Sequence, residues 1–190
     1  MNRIRCAWAK PGNPLYLAYH DEEWGVPCHD ETRLFEMLNL EGAQAGLSWE
    51  TILNKRDNYR EAFDDWDAER IARYDDRKVA ALMNNAGIVR NRLKIVAAIN
   101  NAKAYLRLRD KAGGLDPWLW NWVAGKPIRN AWETPLDVPA RTALSDALSK
   151  DLAKRGFKFV GSTIAYAYMQ SIGTVDDHTV DCFRHGASKA

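Results

Sequence analysis

Apolar residues along this chain recur at helical spacing almost from end to end. The stretch "ETRLFEMLNLEGAQAG", from Glu31 to Gly46, sets Leu34, Phe35 and Leu38 on one face, and Asp30 stands ahead of it as an N-cap. Pro14 fits the first position of a short helix, "PLYLAYHDEEW". Ser48 is placed to cap one helix over "WETILNKRDNYREAF". Asp75 or Asp76 opens "RKVAALMNNAG", with Gly87 as its stop. The longest candidate is "NRLKIVAAINNAKAYLRLRDKAGG", apolar at Leu93, Val96, Ala97 and Ile99 and closed by Gly113 and Gly114. A short "DPWLWNWV" helix follows, and "TALSDALSKDLAKRG" and "GSTIAYAYMQSIG" complete the set. Residues 125–141, which hold Pro127, Pro135 and Pro139, read as a loop. No stretch alternates as a strand does, and there is no internal repeat. The pattern predicts an all-α fold in a single compact unit over residues 1–190, with the proline-rich loop as the place where two helical lobes would divide.

Composition narrows the class. At 190 residues, 46% hydrophobic and 27% charged, the chain can bury a core without disulfides. No apolar run is long enough to span a membrane, and "MNRIRCAWAKPGNP" has no apolar core behind its basic residues. A cytoplasmic protein with no membrane partner is the expectation. The net charge of +2 hides a division. Residues 61–76 are acidic. Residues 90–111 carry Arg90, Arg92, Lys94, Lys103, Arg107, Arg109 and Lys111 against Asp110, a surface compatible with nucleic acid or simply with solvent.

Two features call for chemistry. "LNLEGAQAGLSWETIL", Leu38–Leu53, is small and apolar, the texture of a buried segment, yet it carries Glu41; a carboxylate is costly to bury without a partner or a task. The chain also has three cysteines, an odd count that favours thiols or metal over a disulfide framework. "DHTVDC" sets His178 and Cys182 four apart, on one face if helical, while Cys6 and His20 stand near the other end. Together they form a Cys2His2 set of the kind that suits tetrahedral zinc, with Cys28, His29 and His185 as rival ligands and small buried cysteines as the plainer reading. Four protein ligands would make the metal structural and would exclude a zinc hydrolase, which needs an open position. Among the eight tryptophans, Trp8, Trp24 and Trp49 lie with Tyr16 and Tyr19 near these candidates in sequence. Aromatic faces suit flat or cationic ligands, although any single Trp is more often core.

Taken together, "RCAWA", "PLYLAYHDEEWGVP", "LFEMLNLEGAQAGLSW", "AGIVRNRLKI", "ALSDALSKDLAKRGFKFVGSTIAYAYMQSIG" and "DHTVDC" resemble the bacterial 3-methyladenine DNA glycosylase I family, over residues 3–183. The resemblance implies a helix-hairpin-helix fold and a DNA-repair enzyme that flips out and hydrolyses 3-methyladenine from double-stranded alkylated DNA. It implies one structural zinc on Cys6, His20, His178 and Cys182, joining the chain ends. It sets the base pocket on Glu41 and Tyr19, with Trp49, Trp8 and Tyr16 around them, and Glu41 as the residue closest to the chemistry. The hairpin falls on "NAGIVRNR". There Gly87 would take a left-handed turn, Arg90, Arg92 and Lys94 would face phosphates, and Leu47 would serve as the wedge into the vacated stack. The general hairpin has a second glycine where Val89 stands, so the phosphate geometry of this one is divergent. No aspartate takes the sugar-cation role of the wider superfamily, and no lysine occupies the lyase position. A monofunctional hydrolase is therefore expected, acting as a monomer and associated with the nucleoid when bound to DNA. The rival from another class is a non-catalytic zinc-stabilised helix-hairpin-helix DNA-binding module.

Overall fold

The protein is described by a computed structural model that covers residues 3–187. Ten α-helices and one pair of very short strands are found among these residues. The helix that the apolar face at Leu34, Phe35 and Leu38 announces becomes the centre of the molecule. This helix, α2 (Glu31–Gln44), is capped by Asp30, whose carboxylate accepts from the Arg33 N–H, and everything from Leu34 to Ala43 is buried. Around it pack α3 (Trp49–Leu53), α7 (Arg92–Ala112), α8 (Leu115–Asn121) and α10 (Ser162–Ser171). α9 (Ala143–Lys154) lies against α10, and α5 (Ala68–Ile71) and α6 (Asp76–Asn84) lie against α7. None of these helices is long and apolar enough to cross a membrane.

Local rules account for most of the ends. α1 (Pro14–Glu22) starts on Pro14 with Asn13 as its cap, Ser48 caps α3, Asp75 caps α6, and α7 closes on Gly113 at φ 84°. Three expectations need correction. The helix after Ser48 is broken at Lys55 (φ −103°, ψ 1°), and the chain resumes as α4 (Arg56–Ala62). The break turns Arg56 and Arg60 onto the buried Glu36, with Nε–Oε1 distances of 3.0 and 2.8 Å, an ion network that a continuous amphipathic helix does not reveal in sequence. The proline-rich stretch is not all loop: β1 (Ile128–Arg129) pairs in parallel with β2 (Val175–Asp176), an element too short to show alternation. Gly87 does not end α6, which stops at Asn84, and it is not among the positive-φ glycines. Its lack of a side chain serves close approach instead, because a Cβ there would sit 3.0 Å from both the Asn58 Cβ and the Asn85 Oδ1.

The α6–α7 hairpin is strapped onto the α3–α4 pair. Lys55 Nζ donates to the carbonyls of Ala86 (3.0 Å) and Gly87 (3.3 Å), the Val89 N–H donates to the Tyr59 hydroxyl (3.2 Å), and the Gly87 N–H donates to Asn85 Oδ1 (2.8 Å). On the far side of α2, Asn101 of α7 joins Asn39 (3.0 Å) to the backbone N–H of Lys158 (2.7 Å). Gly42 lets the end of α2 pass close to Phe159, where a Cβ would lie 3.1 Å from the phenylalanine Cβ. Hairpin, α2 terminus and the 156–161 segment are thereby fixed relative to one another.

Candidate functional site

The end of α2 carries Glu41 into the wall of a cavity of about 160 Å³. Its walls are Trp8 from the N-terminal segment, Tyr16 and Tyr19 from α1, Trp24 beyond it, Trp49 from α3, Gln44 from α2 itself, and Ala167 and Gln170 from α10. The volume is smaller than the roughly 300–1,000 Å³ of pockets for drug-sized ligands and suits one flat ring system. All five predicted base-binding residues line it, and Trp24, Gln44, Ala167 and Gln170 are additions. Trp24 stood in the aromatic set of the sequence. Nothing local marks Gln44, Ala167 or Gln170, whose places are set by how α2 and α10 cross.

The rings are held at angles rather than stacked flat. Trp8 meets Tyr16 at 5.6 Å and Trp24 at 4.9 Å, both edge to face, and Tyr19 meets Trp49 at 5.2 Å with a 45° tilt. The Trp49 indole N–H is buried without a hydrogen-bond partner, a cost that a ligand acceptor or a water would remove. Glu41 is 4% exposed, and burial pushes its carboxyl up to about 8, against the smaller opposing effect of the Ser171 hydroxyl. At neutral pH the acid is therefore largely protonated until something positive enters. Burial also raises the Tyr19 phenol well above its ordinary range, with the nearby Glu41 adding to the shift.

Beside this cavity the two ends of the chain meet. Cys6, His20, His178 and Cys182 are all buried, and their ligand atoms lie within 4.8 Å of one another. Cys6 Sγ to His178 Nδ1, Cys182 Sγ to His178 Nδ1 and Cys182 Sγ to His20 Nε2 each measure 3.5 Å. Those edges match a tetrahedron with metal–sulfur bonds of about 2.3 Å and metal–nitrogen bonds of about 2.05 Å, for which the sulfur–nitrogen edge comes to roughly 3.5 Å. The far nitrogens are already engaged. His20 Nδ1 is 2.8 Å from Asp21 Oδ1, and His178 Nε2 is 3.0 Å from the Trp24 carbonyl, so each ring turns a lone pair toward the cysteines. Asp21 is held in turn by Arg5, which keeps its carboxyl below the usual range. A hydrogen bond from Cys6 drives the Cys182 thiol toward thiolate, while the same contact holds the Cys6 proton on. The donor set, its geometry and its outer partners fit a metal ion. The rival ligands lie elsewhere: Cys28 faces the Asp30 carbonyl, His29 pairs with Asp116, and His185 Nε2 sits 3.0 Å from the Asn130 carbonyl.

The predicted DNA-facing residues divide. Leu47 is 41% exposed on the α2–α3 turn, and Arg90 is exposed on the hairpin. Arg92 is exposed and 3.3 Å from Asp76. Val89 is half-buried against the core. Lys94 departs from expectation. Its ammonium turns inward and donates to the carbonyls of Ala43 (2.7 Å) and Ala45 (2.6 Å), the orphan acceptors at the C-terminus of α2, where positive charge is favoured. A cation held in that way clamps α7 to the turn carrying Leu47. Asn91 caps α7 through the Lys94 N–H, which leaves the first-turn N–H groups of Arg92 and Leu93 at the positive end of the helix.

Known proteins with this arrangement are close at hand. DNA-3-methyladenine glycosylase 1 of Escherichia coli (strain K12) is 48% identical over 97% of this chain and 98% of its own length. A crystal structure of 3-methyladenine DNA glycosylase I matches with a TM-score of 0.93 at 48% identity, covering 96% of this chain and 100% of that one. The Staphylococcus aureus 3-methyladenine DNA glycosylase I, in a structure concerned with 3-methyladenine recognition, matches with a TM-score of 0.92 at 38% identity over 95% and 96% of the two chains. The profile of the methyladenine glycosylase family spans residues 8–185, so that fold and sequence agree: the chain belongs to the methyladenine glycosylase family.

Proposed function

We propose that this protein is a DNA-3-methyladenine glycosylase that takes the alkylated base out of the duplex and hydrolyses its N-glycosyl bond. The observation that carries the reading is a buried carboxyl in the wall of a base-sized, ring-lined cavity. Methylation at N3 makes the adenine cationic and weakens its bond to the sugar, so the leaving group needs little further activation. Flipping costs a few kcal/mol, less for a damaged base, and the cavity then holds what has been flipped. Entry of the cation favours ionised Glu41, which accepts hydrogen bonds from the base edge, while Trp49 and Trp8 offer their ring faces and the Tyr19 hydroxyl the same edge. Water is the nucleophile, and the product is an abasic site in an unbroken strand. A non-catalytic DNA-binding module would use the hairpin equally well but has no need of Glu41 in such a cavity.

Zinc is the metal that two thiolates and two imidazoles suit. Cys6, His20, His178 and Cys182 would hold it, and with all four positions filled by protein its contribution is to tie the chain ends beside the pocket. The protein acts as a monomer on double-stranded DNA. Leu47 wedges into the stack, and Arg90, Arg92 and the hairpin amides meet the backbone.

Incubation with methylated duplex DNA will release free 3-methyladenine and leave alkali-labile sites with no nick before alkali. A folded protein that releases no base would overturn the enzymatic reading, and prompt nicking would overturn the monofunctional one.

Arg90 and Lys94 should separate cleanly. Arg90→Ala will weaken binding to damaged and undamaged duplexes alike and reduce the salt slope by about 1. Lys94→Met will leave the salt slope in place and cost about 1 kcal/mol of stability, because two partly buried carbonyls lose their donor. Equal salt slopes for Arg90→Ala and the parent protein would remove Arg90 from the DNA contact.

A further inference from the structure

Gln170 lines the Glu41 cavity and also a neighbouring cavity of about 260 Å³ that shares Trp8 and Trp24. Its side chain is tied from behind. Asp177, 2% exposed, accepts four hydrogen bonds of 2.7 Å each: Asn130 Nδ2 and the Trp132 indole N–H on Oδ1, the Tyr166 hydroxyl and Gln170 Nε2 on Oδ2. A carboxylate can only accept, so the Gln170 amide is locked with its NH2 on Asp177 and its carbonyl oxygen turned away. Among the described residues, that oxygen has no protein hydrogen-bond donor.

We propose that Gln170 Oε1, held by Asp177, is a fixed acceptor that reads position 6 of the flipped purine. This rests on the reading of the cavity as a base pocket. An adenine-type base carries an amino group there with two hydrogens, one for Glu41 and one for Gln170. A base with oxygen at position 6 would set carbonyl against carbonyl, an unpaired and repulsive contact in a buried site. Gln170 is in this account the residue that selects adenine over 6-oxo purines, and Asp177 is its positioning residue.

The network makes a prediction that a merely structural role does not. In Asp177→Asn, the Trp132 indole can only donate, so it keeps the remaining oxygen on its own side and the new NH2 falls on the side of Tyr166 and Gln170. The Tyr166 hydroxyl can reverse. Gln170 must flip to offer its oxygen to Asn, and its NH2 then faces the cavity as a donor.

The experiment measures affinity for two free bases, 3-methyladenine and its 6-oxo counterpart 3-methylhypoxanthine, which also gains a ring N–H, in the parent protein, Gln170→Met and Asp177→Asn, with melting temperature and bound metal recorded for each. The parent should prefer 3-methyladenine by at least about tenfold, Gln170→Met should lose most of that preference, and Asp177→Asn should move it toward the 6-oxo base. A parent that binds 3-methyladenine while Gln170→Met keeps the full preference overturns the acceptor assignment alone. A parent that binds neither base overturns the base-pocket reading together with it. If Asp177→Asn does not fold, Gln170→Met decides by itself.

Discussion

Cys182→Ala protein will be isolated without tightly bound zinc and will unfold far below the parent, or fail to accumulate as folded protein. Zinc at four-ligand sites of this kind contributes on the order of 10 kcal/mol of apparent binding free energy in small domains, and binding of that size is linked directly to folding. In the proposed site the ligands would join residues 6 and 20 to residues 178 and 182, so losing the ion would leave a buried thiol and two buried imidazoles facing one another and release the segments they tie. Chelation of the parent should reproduce the change, and added zinc should reverse it. Metal analysis of freshly purified parent checks the premise. Less than a trace of zinc in a protein that melts normally would sink the assignment, as would Cys28 or His185 in the coordination shell. The N-terminal segment carries Trp8, and Trp24 offers its carbonyl to His178, so the pocket walls should loosen along with the metal site.

The second large effect belongs to Glu41, and it has two readouts of opposite sign. Burial raises its folded-state pKa from the ordinary 4.5 to about 8. A raised pKa means that the group's contribution to stability is fully present below pH 4.5 and is lost as pH rises through 8, where the folded state must carry a buried charge. Glu41→Gln removes that liability. Measured above pH 8, the variant should be more stable than the parent by roughly 3–5 kcal/mol, and the difference should vanish toward pH 4.5. In the same protein, recognition of the cationic base should weaken by about 1.5–3 kcal/mol, the range for a hydrogen bond to a charged group. Single-turnover excision and binding on a duplex with one 3-methyladenine give the second number. A Glu41 that serves only packing would show the reverse: lower stability at every pH, with recognition per folded molecule unchanged.

Glu41 thus resolves the oddity of a carboxyl in a small, apolar run. It is buried where a bare charge is costly, and on the proposed reading a cation sharing the cavity offsets that cost. Lys94 is the converse case. It looks like one more cation in a basic stretch, yet it spends its charge inside the molecule.

What the sequence determined by itself was local. Asn13, Asp30, Ser48, Asp75 and Asn91 cap helices because each needs only a backbone N–H two or three residues ahead. The apolar spacing of 31–46 named one face of α2, while tertiary packing buries Leu34 to Ala43 on every side. The family resemblance supplied the grouping of Cys6 and His20 with His178 and Cys182, which spacing alone had left open against Cys28, His29 and His185. Tertiary structure decided the rest, because it depends on partners distant in the chain. Lys94 turns inward because carbonyls 51 and 49 positions away at the end of α2 lack donors. The helix after Ser48 breaks because Glu36, buried 20 and 24 residues back, needs both arginines. Gly87 is not a positive-φ glycine; what a side chain there would meet is Asn58 of α4 as well as its own neighbour Asn85, and the first of these only packing brings near. Asp177 and Gln170 gave no local signal at all. A carboxylate ringed by four donors from two segments exists only once α10, the proline-rich loop and the C-terminal strand have packed, and only then does the orientation of one glutamine amide carry meaning.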